Sequence, residues 1–459
     1  MDERRRALNE YFDGMHELLS RQEQAMKAYL RGGELPLSPS AHRDRAPVWV
    51  TGIGMVTPLG VGWRENWERM CRGESGVRPA RNFDAAGLAS RFAGEVPAHF
   101  EERYRAACRL QYPERYARFT QFALLSARDA LDDAGIDVDR EDHERVAVCL
   151  GVGAGAFNYL LPINESLLGK GKGIWPALDH NYVVKHMTNA AAAQLSIWLG
   201  ARGPSTTVSA ACATGAQAIA MAIDWIRDGR ADVVLAGGCD STVNRFVIHA
   251  YNQIMALSTN NREPEKASRP FDRRRDGFVM SEGGAVLVLE SEEHARNRRA
   301  ARYATLLGHG TTSEAYNIVT PRPMGEGMAR TMALALQDAG IGPERIDYIS
   351  AHGTSTKLND ANETLAIKSV FGERAYDVPV SSLKSMIGHP IGASSAIEAG
   401  ITALSLAHGT VTPTINYEDP DPECDLDYVP NRARPARIRY ALSNAFGFGG
   451  HNCCLVLGS

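Results

Sequence analysis

The chain has 459 residues, 44% hydrophobic and 23% charged with 43 glycines, a composition that excludes wholesale disorder and fits a soluble enzyme with a sizeable core. A formal net charge of −4 and a pI near 6.4 leave no basic field to collect nucleic acid or an anionic lipid surface, so neither partner is expected. The cysteines at 71, 108, 149, 212, 239, 424, 453 and 454 form no Cys-x-x-Cys pair or ligand-spaced cluster, which reads as reduced thiols in a cytoplasmic protein.

Residues 1–30 place Leu8, Tyr11, Met15, Leu18, Met26 and Tyr29 among charges at intervals that predict an amphipathic helix. Gly32-Gly33, Pro36 and Pro39 then form a breaker-rich linker. Residues 1–46 therefore read as a separate N-terminal helical extension, either packed on its own subunit or serving in docking or dimerisation. The charged start has no apolar h-region, and no stretch nears the roughly 18 apolar residues of a membrane span, so neither export nor anchoring is expected.

From Val48 the pattern changes to strands and helices. A strand Val48-Trp-Val-Thr51 leads into Gly52-Ile-Gly and a run to Gly60, a weak glycine signal. A helix-like run from Phe122 stops at Asp133-Ala-Gly-Ile136 before the strand Val146–Leu150. The same order returns when a run from Met332 stops at Asp338-Ala-Gly-Ile341 before the strand Ile346–Ser350. In a second parallel, Thr206–Ala210 enters a helix over 216–228 and Val378–Ser382 enters one over about 396–406. These pairs predict an α/β unit duplicated within one body, with halves at 47–295 and 296–459.

Cys212 lies where a β-branched strand turns through small residues into a long helix. There, free N–H groups can bind an oxyanion, and the helix dipole favours thiolate. A lone cysteine is more often inert core, so Cys212 alone decides nothing.

Ala211-Cys212-Ala-Thr-Gly215 resembles the nucleophile turn of the β-ketoacyl-acyl-carrier-protein synthases, of the thiolase-like superfamily. Four further motifs agree in order. Ser268-Arg-Pro-Phe-Asp272 with Asp276–Gly283 is one, and Ser350-Ala-His352-Gly-Thr354-Ser-Thr356 with Asp360 and Glu363 is the next. Ser382-Leu-Lys384-Ser-Met-Ile-Gly-His389 with Glu398 and Asn444-Ala-Phe-Gly-Phe448-Gly-Gly450 follow, so the likeness spans 48–459.

The resemblance implies a duplicated thiolase-like fold layered α-β-α-β-α, and an acyltransferase that performs decarboxylative Claisen condensation through a Cys212 thioester. It gives His352 and His389 the extender enolate, Lys384 and Glu398 a supporting pair, and Thr354 and Thr356 supporting places. The Cys212 and Phe448 amides hold the oxyanion, with Phe448 as a mobile gate. It implies a homodimer served by an acyl or peptidyl carrier protein whose phosphopantetheine arm brings the substrate, with no cofactor or metal of the chain's own. The chain ends at Ser459, so a carrier is expected from outside.

Two features depart from the pattern: the Trp175–Met187 stretch lacks the expected proline pattern ahead of Gln194-Leu195, and His451 follows the Gly-Gly pair. His186, His451 and the remaining histidines read as structural or exposed. Intramolecular aldol or lactone closure of a tethered chain and a non-catalytic chain-length subunit are the competing readings, and substrate-dependent CO2 release separates the first from condensation.

Overall fold

The computed structural model describes residues 46–108, 116–155 and 182–459. The predicted helix over 1–30 and most of the Trp175–Met187 stretch lie outside the described residues.

Ten strands frame the site. The first five are β1 (Val48–Thr57), β2 (Val146–Gly151), β3 (Ser205–Val208), β4 (Val233–Ser241) and β5 (Glu282–Ser291). The second five are β6 (Ala304–Ser313), β7 (Tyr348–Ser350), β8 (Val380–Ser381), β9 (Tyr440–Gly447) and β10 (His451–Gly458). They pair in the orders β3-β2-β4-β5-β1 and β8-β7-β9-β10-β6, one arrangement used twice. Directions repeat as well: β2 runs parallel to β3 and β4 while β5 opposes β4 and β1, and β7 runs parallel to β8 and β9 while β10 opposes β9 and β6. The two sets join where Val48, Trp49 and Val50 pair with Leu306, Thr305 and Ala304, so hydrogen bonding is continuous across both.

Helices fill the connections in the same rhythm: α1 (Arg118–Ala134), α2 (Ala190–Leu199) and α3 (Thr214–Arg227), then α4 (Glu326–Ala339), α5 (Lys357–Phe371) and α6 (Ser394–His408). Helices α3 and α6 touch each other and strands of both sheets, whereas α1 and α2 cover one outer face and α4 and α5 the other. The result is the expected α-β-α-β-α layering. The middle layer is mainly apolar apart from the site, with Ile219 and Ile223 of α3 and Ile397 and Ile401 of α6 in one buried cluster with Val50, Leu287 and Leu455.

The repeated Asp-Ala-Gly-Ile sentence has a single physical meaning. Gly135 and Gly340 both take φ 67 after α1 and α4, where a side chain is strained. The following Ile136 and Ile341 amides bond back to Leu131 and Leu336 at 3.1 and 3.2 Å, closing the last turn, and both isoleucines pack into the apolar layer beside it.

The Gly52-Ile-Gly run lies inside β1, which continues past the Val48–Thr51 strand read from the sequence to Thr57. A Cβ at Gly52 would meet the Ala130 carbonyl oxygen at 2.1 Å, and one at Gly54 the Ser126 oxygen at 1.9 Å. These glycines let α1 lie directly on the strand. Similarly, a Cβ at Gly215 would come within 2.7 Å of the Ala396 backbone nitrogen, so α3 and α6 approach at contact distance.

We expect Gly215→Val to lower stability by about 3 kcal/mol because backbone cannot give way there. Gly135→Ala, which has open space but a left-handed φ, should cost about 1 kcal/mol. Denaturant midpoints of the two variants check the contrast.

A second expectation concerns pH. His294 bridges Glu290 at 2.6 Å and Glu141 at 2.9 Å, and the Glu290 hydrogen bond, against the opposing effect of burial, holds the imidazole above its ordinary 6.5. The bridge therefore contributes fully below pH 6.5 and fades as pH rises through the raised value. Thermal melts from pH 5 to 9 should show a steeper alkaline loss in the parent than in His294→Gln.

Candidate active site

From β3 the chain passes Ser209 and Ala210 into the turn Ala211–Ala213, then enters α3. Ala211 sits at φ 48, a strained conformation for alanine. The turn is held by the Ala210 amide donating to Thr214 Oγ1 at 2.7 Å and by Ala213 N–H to Ala210 O at 3.0 Å. Cys212, at its centre, is 7% exposed. The second half repeats the device: Ile391 takes φ 44 in the turn Ile391–Ala393 before α6, with Gly392 where the first half has the cysteine.

The two turns face each other. Ser395 Oγ donates to Cys212 O at 3.2 Å and accepts from the Ala216 amide at 2.9 Å, tying the start of α6 to that of α3. Buried Asp240 takes amides of Gly153, Ala154 and Gly155 at 2.9 to 3.1 Å, and that of Gly392 at 2.7 Å, on one carboxylate.

His389 stands two residues before the second turn, with Nε2 at 3.0 Å from Cys212 Sγ. Its backbone is clamped between Val279 O at 2.7 Å and the Ser281 amide at 3.2 Å, and Phe278 meets its ring edge-on at 5.1 Å. His352 follows β7. Its ring lies 5.6 Å from that of His389 at 85°, and the reactive atoms of Cys212, His352 and His389 all lie within 4.8 Å of one another. Glu363 of α5 accepts the His352 and Gly353 amides at 2.8 and 2.7 Å, and its Oε1 also takes the Asn444 amide nitrogen at 3.3 Å.

Lys384 is fully buried. Its ammonium donates to Glu398 Oε1, to His352 O at 2.7 Å and toward His352 Nδ1 at 3.3 Å. A lysine has three donors and no acceptor, so Nδ1 must receive, which puts the His352 proton on Nε2. Burial, then Lys384, hold His352 well below its ordinary range, and the same two causes act in that order on His389, so both rings are neutral at physiological pH.

Burial pushes the Cys212 thiol up to about 11, outweighing the downward pull of Lys384 and the Phe448 amide. The thiolate expected from the helix dipole is therefore not the resting form, because desolvation inside the middle layer is the larger effect.

The remaining expected residues border the same cavity of about 270 Å³: Thr354 and Thr356, whose hydroxyls bond at 2.9 Å, and Phe448. Gly447 lets the Phe448 loop touch the nucleophile turn, since a Cβ there would meet Ala210 O at 2.9 Å and Cys212 N at 3.1 Å. Gly449 and Gly450, at φ 77 and 71, supply the loop's turn, and the Gly449 amide is held by Ile318 O at 2.8 Å. His451 is exposed, and the His186 ring lies 4.2 Å from that of Tyr182, tilted at 45°.

The Ser268–Asp272 motif proves to be scaffolding. Ser268 Oγ donates to Lys384 O at 2.6 Å, Arg269 N–H to Ser355 Oγ at 2.9 Å, and Phe271 N–H to Asp360 at 2.8 Å, so one segment holds both histidine loops. Sequence reasoning missed Ser395, Phe278 and Tyr251. Ser395 could have been found as the counterpart of Gly215 in the aligned repeats, and Phe278 as a member of the Asp276–Gly283 motif; Tyr251 gave no signal.

A buried thiol with two neutral imidazoles at the foot of an open cavity, between two copies of one α/β unit, defines a condensing acyltransferase. The chain matches the descriptions "Beta-ketoacyl synthase, N-terminal domain" over residues 45–295 and "Beta-ketoacyl synthase, C-terminal domain" over 303–418. It is 40% identical to the 3-oxoacyl-[acyl-carrier-protein] synthase 2 of Synechocystis sp., over 91% of this chain and 99% of that one. To that of Coxiella burnetii it is 41% identical, over 90% and 99%. Among solved structures it resembles a type II PKS acyl-carrier protein in complex with its ketosynthase bound to the hexaketide, at 36% identity and TM-score 0.82 over 90% of this chain and 99% of that one. The ishigamide ketosynthase/chain length factor matches at 35% and 0.84 over the same shares. The chain belongs to the β-ketoacyl synthase family.

Lys384→Met leaves Glu398 buried without its counter-charge and should destabilise by about 3–5 kcal/mol. Lys384→Met with Glu398→Leu should recover most of that loss in urea melts, yet not restore activity.

Proposed function

We propose that Cys212 carries the growing acyl chain and that His352 and His389 act on the extender. On this reading the enzyme joins two carrier-bound thioesters by decarboxylative Claisen condensation in polyketide or fatty-acid biosynthesis. The observation that carries it is the meeting of Sγ and His389 Nε2 at 3.0 Å beside the ring of His352, the three residues lining one cavity.

In the first half-reaction Sγ attacks the carrier thioester. The Cys212 sulfur–carbon bond forms, the carrier sulfur–carbon bond breaks, and the thiol proton ends on the departing carrier sulfur. The amides of Cys212 and Phe448 hold the tetrahedral oxyanion; the glycine at 447 is what brings those two backbones together. In the second, the bond from the malonyl carbon to its carboxylate breaks to release CO2. The electron pair moves to the thioester oxygen, where His352 and His389 hydrogen-bond the enolate. The enolate carbon then attacks the Cys212 thioester, and the sulfur leaves to be reprotonated.

Neutral imidazoles suit this step. An imidazolium would hand its proton to the carbanion and quench it, so the depressed basicity of both rings protects the nucleophile.

Thr354 and Thr356 border the cavity where a phosphopantetheine arm would enter, and Lys384 with Glu398 orients His352 from behind. An acyl carrier protein supplies that arm, a reading supported by the curated relatives' names and by the carrier complex among the structural matches. A homodimer is part of the same reading. No helix among the described residues is long and apolar enough to cross a membrane.

Intact-protein mass after mixing with an acyl-carrier donor should show an adduct that Cys212→Ala lacks. Addition of malonyl-carrier should discharge it into a product two carbons longer with one CO2 per turnover. His352→Ala should retain the adduct but condense about 10²–10³-fold more slowly. An adduct released as a cyclised product without CO2 would replace condensation with ring closure.

A further inference from the structure

Tyr251 borders the same cavity as Cys212, at the end of the helix Arg245–Gln253. Its ring packs edge-on against Phe278 at 5.7 Å, and Phe278 in turn meets His389 at 5.1 Å. On its other side it stacks over Phe448 at 6.5 Å. Tyr251 is thus one ring away from His389 and in contact with the gate. Its hydroxyl has no hydrogen-bond partner among the described residues. Burial first, then nearness to Cys212 and Asp240, raises its pKa.

The surrounding wall is largely apolar, with Ile254, Phe278, Met328, Ile391 and Phe446. In the empty cavity water can satisfy such a hydroxyl. Once an acyl chain displaces that water, the hydroxyl is either paired by the chain or left bare, and a bare buried hydroxyl is unfavourable. A tyrosine here therefore disfavours a fully reduced chain, where a phenylalanine of the same shape would be indifferent.

Building on the condensation reading, we infer that Tyr251 is a specificity-determining residue whose hydroxyl donates to an oxygen near the thioester end of the acyl chain on Cys212, so the substrate class is incompletely reduced, oxygen-bearing acyl chains.

The test compares a 3-oxobutanoyl with a butanoyl pantetheine thioester as donors to the intact chain, in the parent and in Tyr251→Phe, reading kcat/KM for each and the Cys212 adduct by mass. Phenylalanine keeps the ring and its contacts with Phe278 and Phe448, and an unchanged melting temperature verifies that the fold is intact. The expected result is a preference for the oxo donor in the parent, with the ratio of the two kcat/KM values falling about 10-fold or more in Tyr251→Phe. A ratio that is the same in both proteins, with Cys212 acylated by both donors, overturns the role of Tyr251 and leaves condensation standing. If neither donor acylates Cys212 in the parent while a carrier-bound donor also fails, the condensation reading falls, and this inference with it.

Discussion

A lysine ammonium sealed inside a protein is tolerable only where each of its protons finds an acceptor, and Lys384 meets that condition with Glu398, the His352 carbonyl and His352 Nδ1. The rest of the site follows from this. The third bond dictates which nitrogen of His352 carries the proton, and the positive charge, added to burial, holds both imidazoles neutral. The same charge pulls the Cys212 thiol downward against the larger upward effect of burial. Mechanically, Lys384 ties its own loop after β8 to α6 and to the loop after β7, while Ser268 on Lys384 O holds the first loop and Glu363 under the His352 amide holds the second.

Duplication supplies the place where such a group can be sheltered. Two copies of one five-stranded unit put α3 and α6 back to back, and the paired positive-φ turns at Ala211 and Ile391 aim the ends of both helices at one point. Only one copy keeps the cysteine. In the other, Gly392 occupies the corresponding place and passes within reach of Asp240, which leaves room for the thiol to meet His389. The site therefore requires both halves, and neither holds a complete set of groups alone.

Much of this was legible in the chain. The twice-written Asp-Ala-Gly-Ile ending marks a helix stop that glycine must make, and both copies close as such sequences should. The strand-to-helix crossings at Thr206 and Val378 located Cys212 and the segment carrying His389, because a short-range pattern is all those elements need. Other features were hidden because the decisive contacts are tertiary. The need for glycine at 52 and 54 shows only once α1 is laid on β1, and the protonation state of Cys212 reversed because burial is not written in its neighbours. Tyr251 belongs to no motif; its place beside Phe278 and Phe448 comes from three separate segments converging. The amphipathic helix predicted over 1–30 lies outside the described residues.

The most direct test of the central claim is a nitrogen-15 spectrum of the histidine side chains taken from pH 5 to 8 in the parent protein. The account predicts that His352 and His389 stay neutral throughout, with His352 protonated on Nε2 alone and its Nδ1 showing the shift of a hydrogen-bond acceptor. Titration of His352 to an imidazolium near the ordinary histidine value would contradict it, because Lys384 could not then be donating to that ring.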